Sequence, residues 1–210
     1  MTMTMTRPEV TFETGDDLRR LASCRRDRVR FVEIPEKRYL AVDGTALPGS
    51  PAFIDAIGGL FRVAYPLHFA LRARGVRGHR IGMLEALFWV PPEELLAESP
   101  ETANAWREWR WRLLLAVPDE ATEDDVDEAI RGAGSSAAGM YLDRWAEGPS
   151  AQIRHGGSYE REPPPLRRLH AAIAAAGLQP HGAHHEIYLN DPQRVGEERT
   201  KTVLRQPVEG

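Results

Sequence analysis

A carboxylate lies in the middle of an apolar stretch near the carboxy terminus, in residues 184–188, which read HHEIY. If this stretch is a β-strand, its residues alternate between two faces, so Glu186 and Tyr188 share one face and Ile187 takes the other. Burying an acid beside a phenol is costly unless a partner or a function compensates for it. Glu186 is therefore the first candidate for chemistry.

A second acid occupies a similar place in residues 80–90, where Glu85 alternates with Leu87 and Trp89. From Gly75 to Glu85 is ten residues, and from Gly177 to Glu186 is nine. We predict that the two glutamates occupy matching places in two copies of one unit and face a shared cleft. Two carboxyls in different environments could then divide the acid and base roles between them.

The elements around these acids repeat in the same order: strand, helix ending at a glycine, strand with a glutamate, strand. Ser50-Pro51 predicts the start of a long helix, and three prolines at 163–165 lead into a second one. We therefore predict an α+β fold, in which duplicated strand-helix-strand-strand units form a pseudo-two-fold antiparallel β scaffold with a central ligand cleft. The predicted repeats span residues 30–118 and 140–208.

The other segments give weaker patterns. Residues 1–28 are polar and are predicted to be a flexible segment ahead of one domain at 29–208. Residues 93–105 are acidic and loop-like, with a helical turn at 93–98, and a strand is expected at 106–117. Two strands at 141–145 and 151–155 are predicted to form a hairpin around Gly148-Pro149.

Composition excludes several classes of function. The chain has 27 Lys plus Arg and 31 Asp plus Glu, a net charge of −4, which does not favour a direct nucleic-acid partner. No run approaches the roughly 18 apolar residues of a membrane span, and the single Cys24 cannot form an internal disulfide, so a cytoplasmic protein is expected. His181, His184 and His185 lack the spacing of a metal site and are expected to be exposed, with no metal or other cofactor.

The ordered motifs resemble the stand-alone GyrI-like small-molecule-binding proteins over residues 30–208. The segments that carry the resemblance are 44–51, 64–65, 84–89 (LEALFW), 117–119, 155–159 (HGGSY), 184–192 (HHEIYLNDP) and 202–208 (TVLRQPV). Ala86 stands where the family usually has glycine, and Phe88 is inserted before the tryptophan. The resemblance implies a cleft that binds flat aromatic or cationic molecules, and some members hydrolyse the cyclopropane of DNA-alkylating cyclopropapyrroloindoles.

The resemblance also suggests roles for individual side chains. Glu186, with Glu85, would activate a water molecule, and Tyr65 would polarise a substrate carbonyl. The walls of the ligand slot would be aromatic; the candidates are Trp89, Trp111, Tyr188, Tyr141 and Trp145, with His68 nearby. The alternatives are that the aromatic residues pack in the core and that Glu186 is a buried acid paired with Arg205 or with a neighbouring strand.

Two functions remain open at this point. The first is a hydrolase that opens a strained ring with a Glu-activated water, in self-resistance or detoxification. The second is a binder or sensor that sequesters the same class of aromatic ligand without chemistry. In either case the expected partner is a small molecule, and the protein is expected to be a monomer or a homodimer.

Overall fold

The computed structural model describes residues 10–14, 28–90 and 109–210. Cys24, the predicted turn at 93–98, the first residues of the predicted strand 106–117 and most of the predicted segment 1–28 lie outside these ranges. The strands are β1 (Glu13–Thr14), β2 (Arg30–Ile34), β3 (Lys37–Thr45), β4 (Leu84–Trp89), β5 (Arg110–Val117), β6 (Met140–Trp145), β7 (Gly148–Gly156), β8 (Gln179–Pro180), β9 (His184–Tyr188) and β10 (Lys201–Glu209). The helices are α1 (Pro51–Ala73), α2 (Glu123–Ala133), α3 (Pro163–Ala175) and α4 (Pro192–Val195), with short 3-10 helices at Gly134–Ala137, Tyr159–Arg161 and Glu197–Arg199.

The long helix α1 forms where its capping residues predict it. The Ser50 hydroxyl accepts a hydrogen bond from the Phe53 backbone N–H at 3.4 Å, and Pro51 fills the first turn, where no N–H is needed. Gly75, at φ 98°, terminates the helix in the left-handed region. The predicted start and end of this helix are confirmed.

The strands form one mixed but mainly antiparallel sheet in the order β1-β2-β7-β10-β9-β4-β5-β3-β6, with β8 added to β10. The unit β3-α1-β4-β5 is followed by the unit β7-α3-β9-β10, and β4 pairs antiparallel with β9 at the centre. The predicted α+β class and the duplicated order of elements are confirmed.

The predicted hairpin at 141–155 is wrong. β6 pairs with β3 and β7 pairs with β2, in one continuous register in which Lys37 faces Trp145 and Ile34 faces Gly148. Residues 146–147 bend the chain instead of reversing it, and Gly148 adopts a positive φ of 72° just after the bend. The segments β2–β3 and β6–β7 are thus two long bent strands, and they join the two halves of the molecule.

The helices α1 and α3 pack on the same face of the sheet. The helix α1 lies on β3 and β5, whereas α3 lies on β7, β8 and β10, so the central pair β4–β9 lies between them. The main core fills this face. A second, smaller core on the other face contains Tyr39, Leu87 and Leu114. Within the part of the chain that the structure describes, no helix has the length and apolar character needed to cross a membrane.

Candidate functional site

The two glutamates point to opposite faces of the sheet. In the β4–β9 ladder Glu85 pairs with Ile187, and Ala86 pairs with Glu186. Directly paired residues in an antiparallel ladder share a face, and neighbours along a strand do not. The prediction of one cleft shared by both acids is therefore wrong, because the one-residue difference in spacing from the preceding glycine reverses the face.

On the helix side, Glu186 belongs to a group that we call the acid cluster: Glu186, Glu162, Tyr188 and Tyr159. Tyr188 hydrogen-bonds the Glu186 carboxyl, and the rings of Tyr159 and Tyr188 meet edge to face with centroids 6.3 Å apart. Glu162, at the start of α3, is 8% exposed and lies close enough to Glu186 for their charges to interact. Tyr159 remains 42% exposed, so the cluster adjoins solvent at this residue.

Burial raises the pKa of both carboxyls of the acid cluster, Glu186 and Glu162. It raises the pKa of Glu186 to about 7, against the opposing effects of the Tyr188 hydrogen bond and the His185 charge. Burial, followed by the charge of Glu186, raises the pKa of Glu162 well above its usual range. Near neutral pH Glu186 is close to half ionised, while burial favours the protonated form of Glu162, and two carboxyls in such different environments are suited to acid–base chemistry.

Histidine 184 adjoins the acid cluster as a neutral side chain. Its Nε2 lies 3.8 Å from Glu186 Oε1, and burial lowers its pKa to about 3. Neither of its ring nitrogens, nor Glu162 Oε1, has a hydrogen-bond partner within the described residues. Buried polar atoms without partners are uncommon and are costly unless a ligand or a water satisfies them. The helix-side cluster therefore has unused capacity for hydrogen bonding.

The opposite face carries a second group of polar side chains, which we call the ion network: Glu85, Glu147, His185, Arg205 and the neutral Gln152. His185 Nδ1 lies 3.0 Å from both oxygens of Glu147, and its Nε2 lies 3.0 Å from Glu85 Oε2. Arg205 donates to Glu147 at 2.8 Å and to Gln152 at 3.0 Å. The predicted alternative in which Arg205 pairs with Glu186 is wrong, because Arg205 lies on the other face.

Glu147 and His185 of the ion network are charged at neutral pH even though they are buried. Glu147 keeps a low pKa of about 2, because the charges of His185 and Arg205 outweigh its burial. Burial opposes the protonation of His185, but the charge of Glu147 and hydrogen bonds to Glu147 and Glu85 raise its pKa to about 9. The expectation that His184 and His185 are exposed is wrong, since they are 2% and 0% exposed within β9. His181 is exposed, as expected.

The sequence did not reveal Glu147 and Glu162. Glu147 lies in what the pattern predicts as a hairpin turn, and Glu162 precedes three prolines. One sequence signal was available for Glu162. It lies just before a helix that begins with prolines, where the positive end of the helix dipole favours an acidic side chain. Nothing local identifies Glu147, whose partners are 38 and 58 residues away in the chain.

The predicted aromatic wall residues divide between the two faces. Trp111 is 3% exposed in the main core, where its ring meets that of Phe53 edge to face at 5.3 Å. Trp89 pairs with Arg110 and therefore faces the other way, with the Arg110 guanidinium 4.6 Å from its ring centroid. Trp111 and Trp89 cannot line one slot. The alternative that the aromatic residues pack in the core is correct for Trp111.

The remaining aromatic candidates on strands, Tyr141 and Trp145, lie on the face of the ion network. The Tyr141 hydroxyl donates to Asp43 at 2.7 Å, and the Trp145 ring lies 5.8 Å from that of His185. Tyr188 is thus the one predicted wall residue that the structure places beside Glu186.

Tyr65 and His68 line a different cavity. This groove of about 500 Å³ is formed by the last turns of α1 and by residues 76–81, and Glu186 is not among its lining residues. The structure therefore does not bring Tyr65 to the acid cluster. Within the described residues no group of three or more His, Cys, Asp or Glu side chains is arranged to hold a metal ion.

Comparison with protein families finds a match in the carboxy-terminal part of the chain. The family model of the GyrI-like small molecule binding domain matches residues 116–209, which include the acid cluster. These residues are similar to the GyrI-like family. The resemblance indicated by the sequence motifs is confirmed over these residues.

Solved structures share the fold of nearly the whole chain. An uncharacterized conserved protein from Listeria innocua is 27% identical, with a TM-score of 0.76 over 88% of this chain and 93% of that chain. A hydrolase from Listeria innocua is 24% identical, with a TM-score of 0.73 over 91% of this chain and 96% of that chain. The C-terminal domain of EcmrR is 13% identical, with a TM-score of 0.55 over 87% of this chain and 97% of that chain. A comparison with curated proteins finds no significant match.

Proposed function

We propose that this GyrI-like protein binds a flat, electrophilic small molecule at the acid cluster and adds water to a strained ring. The observation that carries the proposal is the buried carboxyl pair, in which the pKa of Glu162 is raised well above its usual range and that of Glu186 to about 7. A base that is half ionised at neutral pH and an adjacent acid that keeps its proton are suited to general acid–base catalysis.

The reaction assigns one role to each carboxyl. Ionised Glu186 removes a proton from a water molecule while the water oxygen attacks a cyclopropane carbon. The ring carbon–carbon bond breaks, and its electron pair moves into the conjugated carbonyl of the substrate. Protonated Glu162 then donates its proton to that carbonyl oxygen, a role predicted for Tyr65 from the sequence. The product is the substrate plus one water, and such positioned acid–base assistance is worth about 10²–10⁴-fold.

Ligand binding at this site would use the exposed edge of the cluster. Tyr159 is half-exposed and meets Tyr188 edge to face, so a planar ring can enter against these two phenols. The loop just before Tyr159 is held by a hydrogen bond that Thr200 Oγ1 donates to the carbonyl oxygen of Gly157. Two structural neighbours are named as hydrolases, both from Listeria innocua, and the class of reaction agrees with the proposal.

A non-catalytic binder of cations is the second candidate. Glu162 Oε1 lacks a hydrogen-bond partner within the described residues, and a cationic aromatic guest would neutralise the ionised cluster and stack on its phenols. The fold of the EcmrR C-terminal domain, found also in an EcmrR–DNA complex, is shared with this chain. In this case the ligand leaves the protein unchanged.

Mass spectrometry after incubation with a cyclopropapyrroloindole separates the two functions. The hydrolase predicts a product one water heavier, formed by the wild type and by Glu85→Gln, whose side chain faces away from the cluster. Glu186→Gln should lose turnover by about 10²-fold or more while ligand binding remains measurable. Full turnover in Glu186→Gln would exclude the mechanism, and unchanged compound in a stable wild-type complex would establish the binder.

A further inference from the structure

The groove at the end of α1 is a second concave surface with its own chemistry. Its volume of about 500 Å³ is within the range of small-molecule sites. One wall is the carboxy-terminal part of α1, from Tyr65 to Arg72, and the other is the segment 76–81 that leads toward β4. Gly78, at φ 80°, allows the tight turn of this segment.

The charge of the groove is opposite in sign to that of the whole chain. Its lining includes Arg72, Arg77 and Arg80 but no acidic side chain, whereas the chain carries a net charge of −4. Within the described residues none of these three arginines forms an ion pair with a carboxylate. The neighbouring Arg74 differs, since it points away and pairs with Asp125 at 2.5 Å. Among the described residues, therefore, the groove concentrates cations without a carboxylate partner.

Two aromatic side chains border these arginines. Tyr65 is 50% exposed and Phe69 is 61% exposed, and both line the groove. Isolated exposed apolar residues are ordinary, but large aromatic residues beside unpaired guanidinium groups form a surface on which a flat ring can stack. The His68 and His79 rings lie 5.4 Å apart in the same groove, and His68 Nδ1 is buried without a hydrogen-bond partner within the described residues.

We propose that this groove binds a small aromatic anion, a planar ring that carries a phosphate or a carboxylate. The ring stacks on Tyr65 and Phe69, and the anionic group accepts hydrogen bonds from Arg72 and from the arginines of segment 76–81. Guanidinium groups match the geometry of such anions, and charge-assisted hydrogen bonds are the stronger class. The site is separate from the acid cluster, whose carboxyls repel an anion, and it does not depend on the proposed hydrolysis.

Calorimetric titration with 1-naphthyl phosphate tests the site, with 1-naphthylmethylamine as a cation that carries the same ring. The wild type should bind the phosphate more tightly than the amine at this groove. Arg72→Gln and Arg77→Gln should each weaken phosphate binding by about tenfold, the loss expected for one charge-assisted hydrogen bond. Arg62→Gln is the matched control, because Arg62 is also exposed on α1 but does not line the groove.

The replaced arginines are exposed, so their loss should leave the thermal midpoint of unfolding unchanged. Resonances of the His68 and His79 rings should shift on addition of the phosphate, in the wild type and in Glu186→Gln alike. Equal binding of the phosphate and the amine would overturn the proposal. Phosphate affinity that is unaffected by Arg72→Gln and Arg77→Gln would also overturn it.

Discussion

At the scale of single residues, each face of the central strand holds buried ionisable groups in a different balance. The acid cluster has carboxyls that burial drives toward the neutral form, whereas the ion network has carboxyls and cations that hold each other in the charged form. Stability and activity should therefore respond to pH through separate residues. Three predictions follow from individual side chains.

The acid cluster should destabilise the fold as pH rises. A carboxyl whose pKa is higher in the folded than in the unfolded chain binds more protons when folded, so the free energy of unfolding falls between its unfolded and folded pKa. For Glu186 this interval runs from 4.5 to about 7. Glu162→Gln should weaken this fall and raise the free energy of unfolding at pH 8, as measured by urea denaturation at pH 5 and pH 8. A pH dependence as steep as that of the wild type would contradict the pKa proposed for Glu162.

The proposed hydrolysis should follow the ionisation of Glu186. Because the base acts in its deprotonated form, turnover should rise as pH increases through about 7, the pKa of this carboxyl. The rate of product formation from pH 5 to 9 measures the dependence. Glu85→Gln should keep the same midpoint, and a profile that is flat from pH 5 to 8 would argue against Glu186 as the base.

The ion network should depend on both of its cations. Arg205→Gln leaves Glu147 with His185 alone, and breaking one side of a buried ion pair costs about 3–5 kcal/mol of the free energy of unfolding. Chemical denaturation at pH 7 measures the loss. Arg112→Gln is the control, because Arg112 also pairs with acids, Asp43 and Asp143, but is part-exposed. Its loss should be about 1 kcal/mol or less. Equal losses in the two variants would contradict the role of burial.

The sequence predicted Glu186 and Tyr188 as neighbours on one face, and the structure agrees because this follows from alternation along one strand. It did not predict Glu162 or Glu147, because their partners come from other strands and their own segments are turns or helix starts. The sequence therefore predicted the pair of side chains that one strand carries. It did not predict the groups of side chains that several elements bring together.

At the scale of elements, α1 is fixed by its contact with the 3-10 helix at Gly134–Ala137. A Cβ atom at Gly59 would overlap the carbonyl oxygen of Ser136, whereas one at Gly58 would meet nothing within 4 Å. Two adjacent glycines of one helix therefore have different reasons to be there. Gly59 permits a close approach, and Gly58 only lowers helix stability.

Alanine at these two positions should act in opposite directions. Gly58→Ala should raise the free energy of unfolding by about 0.5–1 kcal/mol, because alanine favours the helix. Gly59→Ala should lower it by about 1–3 kcal/mol, because the helix must move from its neighbour. Thermal or urea unfolding of the two variants provides the comparison. Stabilisation by both substitutions would show that the contact at Ser136 does not limit the position of α1.

The elements were largely predictable, but their register was not. Caps, prolines and glycine stops identified α1 and the start and end of α3, because these signals are local. The pairing of Glu85 with Ile187 depends on how two distant strands align, and a shift of one residue reverses every side chain. For the same reason the sequence could not show that residues 146–147 continue a bent strand.

At the scale of the whole molecule, the two repeats are not separate bodies. The strand β2, which precedes the unit β3-α1-β4-β5, pairs with β7 of the other unit, and β6, which precedes the unit β7-α3-β9-β10, pairs with β3 of the first. Each repeat therefore completes an edge of the other. For this reason we propose that residues 29–208 form a single domain.

The exchange predicts that fragments must combine in order to fold. Residues 1–138 and 139–210, expressed separately, should each lack stable tertiary structure, because each leaves strand edges and core surface uncovered. Mixed, they should recover the near-ultraviolet circular dichroism of the intact chain and elute together on size exclusion. A cooperative unfolding transition in either fragment alone would show that its repeat folds independently.

The alternation of His184, His185 and Glu186 between the two faces of the sheet has a consequence for protein engineering. The length of the connection from Gly177 to His184 decides which side chains of β9 face the acid cluster. We therefore expect this length to tolerate less change than the composition of the connection. Inserting one residue there would place His185 where Glu186 lies and exchange an acid for an imidazole. Libraries intended to alter ligand preference should therefore vary residues on the helix side of β9 while keeping the spacing, and a single insertion offers a route to a site with an imidazole in place of the carboxylate.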